Sequence, residues 1–89
     1  MATTNPSLTS AWGKIVDAGD EFFLSLPFSN RTSIEVAISD TAVVPTVQGH
    51  ILRGDQFESV SRTMLGPGHV YARSQAGTFT VTLTAWTPS

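Results

Sequence analysis

Cysteine is absent from this chain of 89 residues. No disulfide can therefore form, and no thiolate site for zinc or an iron–sulfur cluster is possible. The two histidines, His50 and His69, cannot complete a closed metal site by themselves. We therefore expect no metal and no other cofactor.

The chain is also too short for a large core. The area scaling for a mass of 9.5 kDa predicts that roughly 63% of the unfolded surface is buried on folding. Domains of this size are usually reinforced by disulfides, a metal or oligomerisation. Because the first two are excluded or not expected, oligomerisation is the reinforcement that remains.

Charge is scarce as well. Charged residues make up 13% of the sequence, against about 25% in a typical soluble domain, and Lys14 is the single lysine. Serine and threonine together account for 22 of the 89 residues. Because lysine is depleted and arginine favoured in interfaces, one interpretation is a surface that another protein covers. The alternative is a neutral, threonine-rich β protein whose composition follows strand propensity.

The balance of charge and hydropathy argues against two classes of partner. A net charge of −2 and a pI near 5.4 give no basic stripe of the kind that nucleic-acid binding requires. No apolar run approaches the roughly 18–20 residues of a transmembrane helix. We therefore expect neither a nucleic acid nor a membrane as a partner. Residues 1–10 also carry neither the basic leader nor the apolar core of a secretory signal.

The N-terminal ten residues differ from the rest of the chain in their hydrophobic pattern. Residues 1–10 are polar and lack periodicity, which predicts an extended N-terminal arm that a neighbouring subunit could hold. Residues 11–89 are predicted to form a single β domain, because hydrophobic residues recur there at every second position. The alternation is clearest in residues 33–39, where the pattern places Glu35 and Ala37 outward and the apolar residues between them inward. Further strands are predicted at residues 11–18, 20–26, 49–55, 69–74 and 78–86.

Two segments are less regular. Residues 56–65 fit either a helical turn or a strand, and we favour the strand because glycine and proline bound the segment closely. Residues 75–77 have the composition of a hairpin turn. The fold class predicted is all-β: a small antiparallel β-sandwich or a jelly-roll-like barrel of about 6–8 short strands.

The last predicted strand has two distinct faces. One face is apolar, and the other is a ladder of threonines that ends near Trp86. Such a ladder is either an ordinary solvent-facing surface or a surface that packs on another subunit. Trp12 and Trp86 could each seal the edge of the core, anchor an interface or stack on a sugar ring, as could Tyr71.

The sequence contains no recognisable catalytic constellation. It has no Gly-x-Ser-x-Gly elbow, no His-Glu-x-x-His and no phosphate-binding glycine loop. Asp20 and Glu21 are adjacent, so on a strand they would point to opposite faces. We expect a non-enzymatic protein, and we treat the tripeptide at residues 53–55, Arg-Gly-Asp, as a chance match to the integrin motif.

One order of segments is similar to a known group of proteins. A small-residue arm leads to Trp12-Gly13-Lys14-Ile15-Val16, and a phenylalanine-rich strand and the alternating strand at 33–39 follow. Gly49-His50-Ile51-Leu52-Arg53-Gly54 comes next, and Gly66-Pro67-Gly68-His69-Val70-Tyr71 precedes the threonine-rich strand. Over residues 11–87 this order resembles the small β-sandwich structural proteins of tailed bacteriophages, namely capsid decoration (cement) proteins and compact head or tail fibre domains.

The resemblance implies a protein on the capsid surface of a virion, often a homotrimer, that bridges neighbouring copies of the major capsid protein. It implies that the arm and the threonine face serve subunit packing. The candidate interface residues are then Thr3, Thr4, Leu8, Trp12, Thr80, Thr82, Thr84 and Trp86. Two alternatives stay open at this point: a tail or fibre attachment domain, and a receptor- or glycan-binding β-sandwich module.

Overall fold

The computed structural model describes residues 2–27, 32–41, 43–56 and 58–88. Within these ranges the chain forms strands joined by short turns, and every pair of neighbouring strands is antiparallel. The predicted all-β fold class is therefore confirmed. The strands are β1 (Ala2–Thr4), β2 (Ser7–Leu8), β3 (Gly13–Val16), β4 (Glu21–Ser25), β5 (Ser33–Ser39), β6 (His50–Arg53), β7 (Ser59–Ser61), β8 (His69–Ser74), β9 (Phe79–Thr80) and β10 (Thr82–Trp86).

The strands form two four-stranded sheets and one short ribbon. The first sheet has the order β1-β10-β4-β7, the second has the order β3-β8-β5-β6, and β2 pairs with β9. In the part of the chain that the structure describes, neither four-stranded sheet closes on itself. The sandwich is therefore favoured over the predicted alternative of a barrel.

The core contains apolar side chains from both four-stranded sheets. In β4, Phe22 and Leu24 are buried as the alternation predicted, and Leu26 continues the same face just beyond the strand. The end of the chain also follows the predicted alternation: Val81 and Leu83 are buried on the predicted apolar face. The other members of the core cluster are Leu8, Val16, Ile34, Val36, Leu52, Val60, Val70 and Ala72.

The ambiguous segment at residues 56–65 contains both structures. Residues 59–61 form strand β7, as favoured, but Arg62–Leu65 form a single helical turn, α1. The strand prediction was wrong for those four residues. Arg62 accounts for the difference, because its guanidinium donates four hydrogen bonds of 2.6–3.0 Å to the backbone carbonyls of Asp17, Asp20, Gly66 and Gly68. It thereby ties the turn before β4 to the turn that follows α1.

The predicted hairpin at residues 75–77 was also wrong. Strand β8 belongs to the second sheet, whereas β9 pairs with β2 in the ribbon. The chain therefore crosses between sheets at this point. The backbone N–H of Gln75 donates to the carbonyl of Ser33 at 2.9 Å, which holds the crossing against the start of β5.

The predicted N-terminal arm lies along the last two strands of its own chain. Thr3 lies opposite Thr84 in the β1–β10 pair, and Ser7 lies opposite Thr80 in the β2–β9 pair. Between these pairs, the N–H of Val81 donates to the carbonyl of Pro6 at 3.0 Å. The arm is therefore extended, and its backbone bonds are made within the chain that is described.

Candidate functional site

The most developed polar site lies on the outer face of the second sheet, opposite the core. Glu35 and Ala37 were predicted to lie on the outward face, and neither belongs to the core cluster. Both are nevertheless buried, with 2% and 4% of their surface exposed, which the alternation did not predict. The alternation gives the face correctly, but it does not show that other segments, the one ending at Gly49 among them, come against this face.

Glu35 is the centre of this site. Its Oε2 accepts a hydrogen bond from the backbone N–H of Gly49 at 2.6 Å. Its Oε1 accepts bonds from Nε of Arg73 at 2.9 Å and from Nε2 of Gln75 at 3.0 Å, and Nη2 of Arg73 lies 2.8 Å away. Both carboxylate oxygens are therefore occupied by donors from two separate segments.

Gly49 can reach this carboxylate only because it has no side chain. A Cβ at this position would lie 2.5 Å from the carbonyl oxygen of Val36 and 3.1 Å from Cγ of Glu35, both closer than normal contact allows. The loop at 45–49 can therefore lie directly on β5, and its backbone anchors Glu35.

The same hydrogen bonds determine the ionisation of Glu35. The backbone bond from Gly49 is the largest cause that lowers the pKa of this carboxyl, and Arg73 and Gln75 lower it further, while burial acts in the opposite direction. The net effect is a pKa below the ordinary value of a glutamate. Glu35 is therefore an anion paired with the Arg73 cation near neutral pH.

Arg73 links this ion pair to an aromatic ring. Its guanidinium carbon lies 4.4 Å from the centre of the Trp12 ring, within the range of a favourable cation–π contact. Trp12 is partly buried and Arg73 partly exposed. The stack fixes Trp12 beside the Glu35–Arg73 pair, although the residues are far apart in sequence.

These residues line an open cleft of about 520 Å³, which we call the Trp12 cleft. One wall consists of four side chains, those of Trp12, Glu35, Arg73 and Gln75. The facing wall is the loop and the adjacent edge strand, with the lining residues Pro45, Thr46, Val47, Gln48 and Ile51. Of the predicted interface residues, only Trp12 lies in this cleft.

The predicted threonine residues lie elsewhere, along the arm. The hydroxyl oxygens of Thr3 and Thr84 are 2.7 Å apart, and those of Ser7 and Thr80 are 3.1 Å apart. Thr82 donates to the side-chain oxygen of Asn5 at 3.3 Å. The hydroxyl of Thr4 faces the carbonyl of Leu83 at 3.5 Å. The threonine ladder thus has polar partners within the chain, and its contact with another subunit stays a prediction.

The two remaining candidates differ in exposure. Leu8 is buried in the core of its own chain, so its side chain contributes to folding rather than to a free surface. Trp86 is half-buried at the end of β10, opposite Glu21. Trp12 lies just before β3, and Trp86 ends β10 in the other four-stranded sheet, so strand pairing does not bring them together.

Sequence reasoning missed one surface feature, an exposed group of valines that precedes β6. The exposed fractions are 63% for Val43, 51% for Val44 and 65% for Val47. Three large apolar side chains at such exposure within five residues are unusual for a surface loop. The signal in the sequence is the apolar run around Pro45.

Other motifs contribute no chemistry in the described residues. Nδ1 of His69 accepts a hydrogen bond from the N–H of Ala18 at 3.1 Å, which is a structural role. The side chains of Arg53 and Asp55 pair with each other at 3.3 Å. Among the residues searched there is no group of three or more His, Cys, Asp or Glu side chains that could hold a metal.

Among the described residues, no helix has the length and hydropathy that are needed to cross a membrane. The site combines a buried carboxylate, a guanidinium stacked on an indole, and the loop before β6. No known protein family, curated protein or solved structure matches the chain.

Proposed function

We propose that the chain is a non-enzymatic virion structural protein of a tailed bacteriophage: a capsid decoration protein that binds the major capsid protein shell and associates as a homotrimer. The observation that carries the proposal is the exposed valine surface, which we define as Val43, Val44 and Val47. The resemblance of the chain to small β-sandwich virion proteins supplies the identity of the partner.

The physical case for a docking role rests on what exposed apolar area costs. Fully burying a valine side chain is worth about 1.5 kcal/mol or more, and a surface that keeps three of them in water forgoes that gain. A partner that covers the valine surface recovers it. The surrounding chain has few charges to desolvate, so docking meets little opposing electrostatic cost.

Such a protein would act by mass action and not by chemistry. A ligand that binds the assembled shell, but not its separated subunits, stabilises the shell in proportion to its occupancy. Many copies, each making a modest contact across a junction between capsid subunits, would together oppose disassembly. A scarcity of catalytic groups is compatible with this role.

Binding to empty shells tests the proposal. Shells of the phage that encodes the chain are assembled without it, mixed with purified protein and sedimented. We expect the native chain to co-sediment and the variant V43S/V44S to stay in the supernatant, because the variant lacks the apolar contact. Met64→Ser is the matched control, because Met64 is an exposed apolar residue outside the loop, and we expect it to bind normally.

Two outcomes would contradict the proposal. Absence of the native chain from the pellet would remove the capsid shell as partner. Binding of V43S/V44S at native level would remove the valine surface from the contact. The number of bound copies also separates a shell-wide decoration protein from a tail or fibre attachment domain, which would occupy only a few positions.

A further inference from the structure

We propose that the Trp12 cleft binds a neutral carbohydrate chain. The cleft shares Val47 with the valine surface, whereas Val43 and Val44 do not line it, so substitutions at Val43 and Val44 test the capsid proposal separately from this inference. It rests on a buried carboxylate paired with a half-buried guanidinium, an aromatic ring and amide side chains that converge on one open cavity. Those groups come from the segment before β3, from β5, from the loop before β6 and from the end of β8.

The charge of the cleft favours a neutral ligand. Among the described residues, Glu35 and Arg73 are the only charged ones that line it, and they pair with each other at 2.8 Å. Glu35 already neutralises the charge of Arg73, so an anionic ligand meets no net positive charge in the described lining. A cationic ligand would have to compete with the donors that already occupy both carboxylate oxygens of Glu35, and that exchange would leave a buried carboxylate with fewer of its partners.

The remaining groups match the two surfaces of a pyranose ring. A sugar ring has a flat face of C–H groups and a rim of hydroxyls that both donate and accept. Val47, Ile51 and the part of the Trp12 ring that Arg73 leaves uncovered supply apolar surface for the face, and an aromatic ring offers a large area for it. The amides of Gln48 and Gln75 both donate and accept hydrogen bonds, as a hydroxyl rim requires.

The ion pair makes the site rigid. Arg73 is held by Glu35 on one side and stacked on Trp12 on the other, and Gly49 fixes the facing loop to the same carboxylate. A cleft whose groups are already ordered loses little conformational freedom when a ligand binds. The buried carboxylate therefore acts as a positioning residue, whereas Trp12 is expected to touch the ligand.

An extended peptide is less compatible with this edge of the sheet. A peptide that added to β6 would need the free backbone groups of that strand. The N–H of Arg53, at the end of β6, already donates to Oε1 of Glu58. Strand addition would have to break that bond, while a sugar in the cleft would not.

The test uses the full chain and nuclear magnetic resonance. Two tryptophans give two indole N–H signals, which the variants Trp12→Phe and Trp86→Phe assign. The probes are cellohexaose, maltohexaose and chitohexaose, titrated to millimolar concentration. We expect at least one of them to shift the Trp12 signal and to leave that of Trp86, in the other sheet, unchanged.

The variants then locate the contact. We expect Trp12→Ala to weaken binding about tenfold or more, because it removes the aromatic surface. Gln48→Ala, at an exposed position, should also weaken binding and serves if Trp12→Ala fails to fold. Trp86→Phe is the matched control with native affinity.

Three results would overturn the inference. In the first, none of the neutral oligosaccharides shifts the Trp12 signal. In the second, polygalacturonic acid shifts it and the neutral probes do not, so that the ligand is an anion. In the third, only an extended peptide such as Val-Thr-Val-Thr shifts it. The V43S/V44S variant should keep native sugar affinity, so failure of this inference is distinguishable from failure of the capsid proposal.

Discussion

At the scale of single residues, Glu35 has the greatest influence on the site. It accepts hydrogen bonds from Gly49, Arg73 and Gln75, so one carboxylate joins the loop before β6 to strand β8. Burial alone would raise its pKa, but these donors reverse the effect. The charge of Glu35 is therefore a condition for the cleft to keep its shape.

This arrangement predicts a pH dependence of stability. Because the folded-state pKa of Glu35 lies below its ordinary value, its contribution is fully present above the ordinary pKa. That contribution is lost as the pH falls below the ordinary pKa of a glutamate and through the lower folded-state pKa. Glu35→Gln should lower the free energy of unfolding by about 1–3 kcal/mol at neutral pH. Below the ordinary pKa of a glutamate, the free energy of unfolding of the variant should fall less steeply with pH than that of the native chain.

Urea unfolding of both proteins between neutral and acid pH measures this effect. Asp40→Asn, at an exposed position, is the control for loss of a surface charge and should keep the native profile. Asp17, whose pKa is lowered by its hydrogen bond to Lys14, contributes to the acid slope in every variant. Identical slopes for the native chain and Glu35→Gln would show that Glu35 does not carry the dependence.

At the scale of elements, the prediction of a strand is correct where one face of the strand packs against the core. Strand β4 alternates between buried and less buried positions, and in β10 Leu83 is buried between two less buried threonines, so the pattern specified both strand and face there. The pattern of β5 specified the strand but not the burial of Glu35, because alternation carries no information about a loop that folds over the second face. The single turn of α1 was missed because four residues are too few to show a helical period.

The arm is the element that sequence reasoning could describe least. Among residues 3–10, Leu8 is the one buried apolar side chain, so periodicity could not place this segment. Its structure comes from pairing with strands about eighty positions later in the chain. Such long-range pairing is decided by the partner strand and by the hydroxyl contacts between Thr3 and Thr84.

That pairing predicts an intrachain disulfide in the variant T3C/T84C. The two positions lie directly opposite each other in the β1–β10 pair, where a disulfide can form. The native chain has no cysteine, so no competing bond arises. After mild oxidation, non-reducing electrophoresis and mass spectrometry should show a monomer with one internal bond.

The variant T3C/T80C is the matched control. Positions 3 and 80 are not opposite each other, so a disulfide between them should form much less readily. Covalent dimers or larger species of T3C/T84C would instead mean that the arm pairs with a neighbouring chain. The experiment therefore decides between the observed intrachain pairing and an arm that reaches another subunit.

At the scale of the whole molecule, the fold class followed from the sequence and the site did not. Alternation and turn composition predict an all-β sandwich because both are local properties. The Trp12 cleft combines residues from four separate segments, and no spacing in the sequence relates Trp12 to Glu35 or Gln48. Only the antiparallel order β3-β8-β5-β6 brings them to one face.

Self-association is the claim on which the structural role most depends. A chain of 89 residues without disulfides has limited surface to bury by itself, and it keeps an exposed valine surface. Sedimentation velocity of the purified chain, from low micromolar to submillimolar concentration, tests the claim most directly. We expect a homotrimer, whose mass is three times the 9.5 kDa of the chain. A 9.5 kDa species at every concentration would contradict it.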